Sequence, residues 1–261
     1  MTSPQNDDVE LAHRLADVAD SISARHFPRS LATARKDDGT MVSAADLAVE
    51  EALVDILRAQ RPGDGVLSEE SGTVASGRHR QWILDPIDGT EPFLAGQRSW
   101  GTHIALAVDG EVEIAVITRP TERRRWWAVR GLGAWSSPTG RAQQTATRLA
   151  VSRTDVLADA RIGGFVAPGS EMASAIARHG HWVADPLGDI IALVEGRVDA
   201  VVAPAGEIWD HAPQVLLTTE AGGRYIDKLG GTRIDAHGGI YTNDLLTEQV
   251  QAVPELCRLD G

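Results

Sequence analysis

Trp82-Ile83-Leu84-Asp85-Pro86-Ile87-Asp88-Gly89-Thr90 carries two carboxylates out of the end of an apolar run and into a tight turn. Residues 82–84 read as a short buried strand. Pro86 biases Asp85 towards extended backbone, so the chain is expected to leave the sheet there without entering a helix. Gly89 permits a sharp turn and close backbone approach. Asp85, the Ile87 carbonyl and Asp88 can then converge on a hard cation, which prefers oxygen ligands, while the amides near Gly89 and Thr90 stay available to a phosphate. A D-x-x-D pair alone more often lies on a solvated helix face; the strand before this pair and the proline and glycine beside it set it apart.

Outward from that stretch, residues 102–108 and 112–117 flank Asp109-Gly110, the strongest hairpin signal in the chain, and residues 125–129 and 133–135 extend the same antiparallel sheet. Upstream, Val9, Leu11, Ala12, Leu15, Val18, Ala19 and Ile22 recur at helical spacing over residues 7–26. A second helix is expected after Ser43, which forms a capping pair with Asp46. Beyond about residue 145 strands (161–166, 198–202, 224–226) alternate with helices (172–178, 189–195, 210–221), the last ending at Gly222-Gly223. The expected architecture is mixed α/β (α+β), with two sheets and helices packed between and outside them. Residues 1–145 would form an N-terminal half with the antiparallel sheet and the metal-binding loops, and residues 146–261 a C-terminal α/β half.

The 261 residues suffice for a sizeable core, and a formal net charge of −12 argues against nucleic acid or an anionic membrane surface as partner. A small phosphorylated substrate remains compatible, because bound metal inverts the local field of an acidic site. Cys257 is the only cysteine, which excludes an internal disulfide and fits a reducing compartment. MTSPQNDDVE has neither a basic nor an apolar leader pattern, and no stretch has the length of a membrane span, so the expected setting is cytoplasmic.

Three more acidic elements stand out: Asp37-Asp38 with Asp46, Glu69-Glu70 after Gly65-Val66-Leu67, and Asp210 after Trp209. Singly, each reads as solvated surface or a helix cap. In this order and spacing they carry more. Residues 36–46 look like a K-x-D-x-T-x-V-T-x-A-D segment, Leu67-Ser68-Glu69-Glu70-Ser71 like a G-E-E-S loop, residues 82–90 like W-I-[IV]-D-P-[IL]-D-G-T, Trp209-Asp210 like W-D, and Glu220-Ala221-Gly222-Gly223 like E-A-G-G. On these motifs the chain resembles the inositol monophosphatase superfamily over nearly its whole length. Residues 124–131 and Gly188-Asp189 look most like the actinobacterial histidinol-phosphate phosphatases of that superfamily.

The resemblance implies a layered αβαβα sandwich of the inositol monophosphatase and fructose-1,6-bisphosphatase type, two or three Mg ions per subunit with Mn able to substitute, and a homodimer. By motif position Glu69, Asp85 and the Ile87 carbonyl would hold one Mg, and Asp85, Asp88 and Asp210 a second, with Glu70 assisting a weaker third. Thr90 backed by Asp46 would orient and deprotonate the attacking water, with Asp85 and Glu69 around it. Gly89, Thr90, Asp189 and Asp210 would contact substrate, although Asp189 reads equally well as a helix cap.

The chain departs from the family pattern at the substrate side. Ser68 replaces the usual glycine, Ser43-Ala44 the frequent Thr-Asp, Glu91-Pro92 the x-N of G-T-x-N-F, Ala203 a substrate-contacting glutamate seven residues before Asp210, and Asp210-His211-Ala212-Pro213 the usual D-[LIV]-A-A. Pro92 removes a side-chain amide and a backbone donor. Trp126-Trp127 are expected to supply one core ring and one surface or interface ring, His103 to be structural rather than a ligand, and residues 123–125 to form a solvated edge. The expected activity is Mg-dependent hydrolysis of a small phosphomonoester, L-histidinol phosphate first. The alternatives are an inositol, sugar or nucleoside monophosphate, or a non-catalytic binding protein of the same fold.

Overall fold

The computed structural model describes residues 4–27, 33–35, 41–73, 79–140, 145–183 and 189–257. Lys36, Asp37, Asp38 and Gly188 lie outside them. The chain divides into two compact units, Met1–Arg130 with Trp135–Thr147, and Gly131–Ala134 with Arg148–Gly261. Among the described residues no helix is long and apolar enough to cross a membrane.

The first part of the chain runs α1 (Pro4–His26), β1 (Thr33–Arg35), β2 (Met41–Ser43), α2 (Ala44–Gln60), β3 (Gly65–Ser68), β4 (Gly72–Thr73), β5 (Arg80–Asp88) and α3 (Thr90–Leu94). It continues through β6 (Gly101–Val108), β7 (Glu111–Arg119), β8 (Arg124–Val129), β9 (Gly133–Pro138) and β10 (Thr147–Arg148). Strands β3 to β10 form one sheet in the order β10-β9-β8-β7-β6-β5-β3-β4, with β3 and β5 parallel and β5 to β8 antiparallel. One face of that sheet is apolar. Trp82, Leu84, Ile104, Leu106, Val116 and Trp127 pack there with Leu11, Leu15, Leu53 and Leu57 of α1 and α2. The helices form because their apolar positions repeat at helical spacing, and Ser43 with Asp46 closes the expected capping box at the start of α2. Asp109 and Gly110 both take positive φ (51° and 85°), as a two-residue hairpin turn demands.

Three expectations change here. Strand β5 does not end at Leu84; it runs through Pro86 to Asp88. Its pairing with β6 goes from Asp85↔His103 to Asp88↔Gly101, three residues on one strand against two on the other, which is a bulge. A proline fits a bulge, where no ladder hydrogen bond is lost, and the Thr102 hydroxyl donates to the Pro86 carbonyl at 2.8 Å. Strand β8 is interior, not an edge. Arg125 is buried, donating to Asp17 (2.7 Å), Asp20 (3.1 Å) and the His13 carbonyl (3.1 Å) of α1. Trp126 and Trp127 are both buried, on opposite faces as strand alternation requires. Trp127 meets His13 edge-on at 5.1 Å, and Trp126 lies under the Arg119 and Arg124 guanidiniums.

The second unit holds β11 (Arg161–Gly164), α4 (Glu171–His179), β12 (His181–Trp182), α5 (Ile190–Val194), β13 (Ala200–Ala203), α6 (Ile208–Glu220), β14 (Arg224–Asp227), β15 (Gly239–Thr242), α7 (Thr247–Gln251) and α8 (Pro254–Cys257). Its sheet has the order β12-β11-β13-β15-β14, parallel at β12-β11-β13 and antiparallel at β13-β15-β14. Glu220, the first residue of the E-A-G-G element, accepts from the Gly131 and Gly133 amides at 2.8 Å each, so its part in the motif is structural.

Candidate active site

The bulge is what brings the carboxylates of β5 together. In a regular strand Asp85 and Asp88, three apart, would face opposite sides; one inserted residue restores the parity, and both align with the face that carries His103. Asp85 and His103 are 2% exposed, and Asp88 Oδ2 lies 3.5 Å from His103 Nε2. Asp85, Asp88 and His103 each offer a ligand atom within 4.8 Å of the others. Two carboxylates and an imidazole at that spacing suit a divalent cation. The sequence reads His103 as structural rather than as a ligand. Its alternation with apolar neighbours points that way, and only the cross-strand register places it opposite Asp85.

Gly89 follows in left-handed conformation (φ 84°, ψ 46°), and a β-carbon there would stand 2.8 Å from the Ser99 carbonyl oxygen, so no other residue fits without movement. It turns the chain into α3, whose first residue, Thr90, directs its hydroxyl to Asp46 Oδ1 (3.1 Å) and the Ile87 carbonyl (3.2 Å). Pro92 sits in the first turn of this helix, where its missing N–H costs no helical bond. Beneath the turn Ile87, Phe93, Trp100 and Ala45 form a separate apolar cluster.

Asp46 is fully buried and takes part in two structures at once. Its Oδ2 accepts from the Ser43 amide (2.9 Å) and hydroxyl as half of the α2 capping box, and its Oδ1 accepts from Thr90. Burial pushes its carboxyl above the usual carboxylate range, and the hydrogen bonds from Ser43 and Thr90 pull back against that rise.

Glu69 and Glu70 follow β3, which runs parallel beside β5 with Ser68 opposite Leu84. The Glu69 amide donates to the Leu84 carbonyl at 3.1 Å, keeping the two chains in step one residue further, up to Asp85. The strand-bound carboxylates, the Thr90–Asp46 pair and the glutamate loop thus all belong to the first unit.

The remaining predicted residues lie in the second unit. Asp210 is the third residue of α6, and its Oδ2 accepts from the Glu207 amide at 2.7 Å. His211 beside it is buried, with Nδ1 2.6 Å from the Tyr241 hydroxyl, and burial lowers its pKa to about 4. Asp189 is the N-cap of α5, its Oδ1 accepting from the Ile191 (3.0 Å) and Ala192 (3.3 Å) amides; this is the capping role that the sequence left open. Ala203 ends β13 and is 2% exposed.

Known proteins resemble the chain over nearly its whole length. The chain is 50% identical to a Streptomyces griseus protein named glucose-1-phosphate thymidylyltransferase, over 91% of this chain and 92% of that one. It is 38% identical to the histidinol-phosphatase of Mycobacterium tuberculosis, over 94% and 96% of the two chains. Among solved structures, the inositol monophosphatase of Zymomonas mobilis superposes with a TM-score of 0.77 at 28% identity, covering 99% of each chain. An IMPase of Thermotoga maritima reaches a TM-score of 0.82 at 23% identity, covering 97% of this chain and 98% of that one, a likeness of fold alone. The inositol monophosphatase family model matches residues 5–256, and the chain therefore belongs to that family of phosphoric monoester hydrolases.

Proposed function

We propose that the protein is a Mg-dependent phosphatase of a small phosphorylated alcohol, with L-histidinol phosphate as its first substrate, working as a cytoplasmic homodimer. The observation that carries the reading is the Thr90–Asp46 hydrogen bond at the mouth of a bulged strand that presents Asp85 and Asp88 on one face. Glu69, Asp85 and the Ile87 carbonyl would hold one Mg, and Asp85, Asp88 and Asp210 a second, with Glu70 beside a weaker third; Mn would serve in their place. Bound there, the cations supply neutralisation of the phosphate oxygens and of the departing alkoxide.

The protein's own groups handle the water. The Thr90 hydroxyl hydrogen points to Asp46 Oδ1 and the Ile87 carbonyl, which leaves its oxygen lone pairs to accept from a water and aim it at phosphorus. Asp46, whose basicity burial raises, is the proton sink behind Thr90. The backbone at Gly89 and Thr90 faces the phosphate. Attack in line releases the alcohol and inverts phosphorus without a phosphoenzyme. Asp189 and Asp210 are the proposed contacts to the alcohol, whose ammonium and imidazole in histidinol suit carboxylates.

The histidinol-phosphatase relatives support the first substrate. A second reading, a sugar phosphate, is favoured by the relative whose name carries glucose 1-phosphate, and by Ala203 standing where the family places a glutamate. Phosphate release from histidinol phosphate, glucose 1-phosphate, inositol phosphates and nucleoside monophosphates, with Mg and with excess chelator, tests both. Turnover of one of these only with metal is the expected result; full activity in chelator, or none on any monoester, overturns the proposal.

A further inference from the structure

One face of α2 reaches both acidic loops of the site. Asp46 and Glu50, one helical turn apart, are both buried (0% and 6% exposed). Asp46 takes the Thr90 hydroxyl, on the loop that follows Asp88. Glu50 takes the other loop: its Oε2 accepts from the Ser68 hydroxyl and, at 3.1 Å, from the Glu70 amide. Ser68 can reach it because it pairs with Leu84 and so faces the helix side of the sheet, fully buried, while the next residue goes to the side of Asp85. Ser68 is also one of the departures of this chain, standing where the family usually has glycine, so one of the two bonds to Glu50 depends on a side chain that glycine lacks.

We propose that Glu50 is a positioning residue for the Glu69-Glu70 loop, acting through Ser68 and the Glu70 amide, so that α2 sets the two acidic loops of the site in register with each other. A buried carboxylate has reason to hold such bonds, because leaving it without them in an apolar layer is costly. Two ties to a regular helix fix the turn of a loop whose ends β3 and the two-residue β4 hold by pairing. Glu50 touches neither substrate nor the reacting atoms. Its effect is on where Glu69 and Glu70 stand before a cation arrives, and this consequence rests on the metal-dependent reading above.

The test uses two readouts on the whole protein: amide exchange of residues 65–73 without metal, referred to the β5 amides, and Mg affinity by calorimetry. Glu50→Ala is expected to speed exchange at Glu69 and Glu70 and to weaken Mg binding, each by about tenfold, the scale for losing a hydrogen bond of this kind. Glu50→Gln, whose amide oxygen can accept both bonds, should restore most of each effect. Ser68→Gly, which removes one tie and stays foldable if Glu50→Ala does not, should fall between. Leu53→Ala, a cavity in the same helix away from the loop, should lower the melting temperature and leave both loop readouts unchanged. Unaltered exchange in Glu50→Ala and Ser68→Gly overturns the proposal, as does an equal change in Leu53→Ala. Faster loop exchange in a protein whose wild type binds no Mg upholds the tie and refutes the metal reading instead.

Discussion

His13 makes acid stability a direct measure of how the first unit is packed. It lies in α1 against Trp127, with the Arg125 guanidinium beneath, and is 9% exposed. Burial first, and the Arg125 charge second, lower its pKa from 6.5 to about 4. The folded protein therefore resists protonating a group that the unfolded chain protonates freely below pH 6.5. Stability from this residue is fully present above that value and is lost as pH falls towards 4. Between pH 7 and pH 5 the linkage amounts to about 2 kcal/mol, or about 4–8 °C in melting temperature for a chain of this size. Replacing His13 by leucine removes the titration, so on acidification from pH 7 to pH 5 the wild type should lose that much more melting temperature than the variant. Parallel curves across the range would show that His13 is not held neutral, and with it that the Trp127–Arg125 packing is wrong.

Asp85→Asn should lower phosphatase activity on the order of a thousandfold, the scale for losing a major electrostatic stabiliser, while the protein still melts cooperatively; near-normal hydrolysis would refute the metal assignment. Thr90→Ala should reduce turnover by about a hundredfold and leave the Mg affinity unchanged, and single-turnover kinetics beside a Mg titration would separate the two. Gly89→Ala should destabilise by about 1–2 kcal/mol from the left-handed backbone alone, and more from the 2.8 Å approach to the Ser99 carbonyl; an unchanged melting temperature would contradict that turn.

Local chemistry was legible in the sequence and long-range register was not. Asp109-Gly110 announces its hairpin because only certain residues accept positive φ twice in succession, and Ser43 with Asp46 announces a helix start because both partners lie within one turn. The acidic motifs were legible in the same way, as short strings. His103, Glu50 and the burial of Arg125 were not, since each depends on a partner far along the chain: Asp85 across a strand pair, Ser68 from another strand, Asp17 and Asp20 from a helix more than a hundred residues earlier. The expected end of β5 at Leu84, ahead of Pro86, failed for a related reason. Proline is a poor strand residue in isolation, and its place in a bulge is decided by what the neighbouring strand leaves unpaired.

The extra residue between Asp85 and Asp88 also changes what counts as a conservative alteration here. One residue added to the facing strand between Gly101 and His103, so that three residues pair with three, would preserve every acidic group that an alignment scores, and yet turn one carboxylate away from the other. In a lineage that needed the fold without the chemistry, such an insertion would silence the site in a single step and leave its motif intact to the eye. For this chain the count of residues on the facing strand is as much a functional character as the identity of the two aspartates.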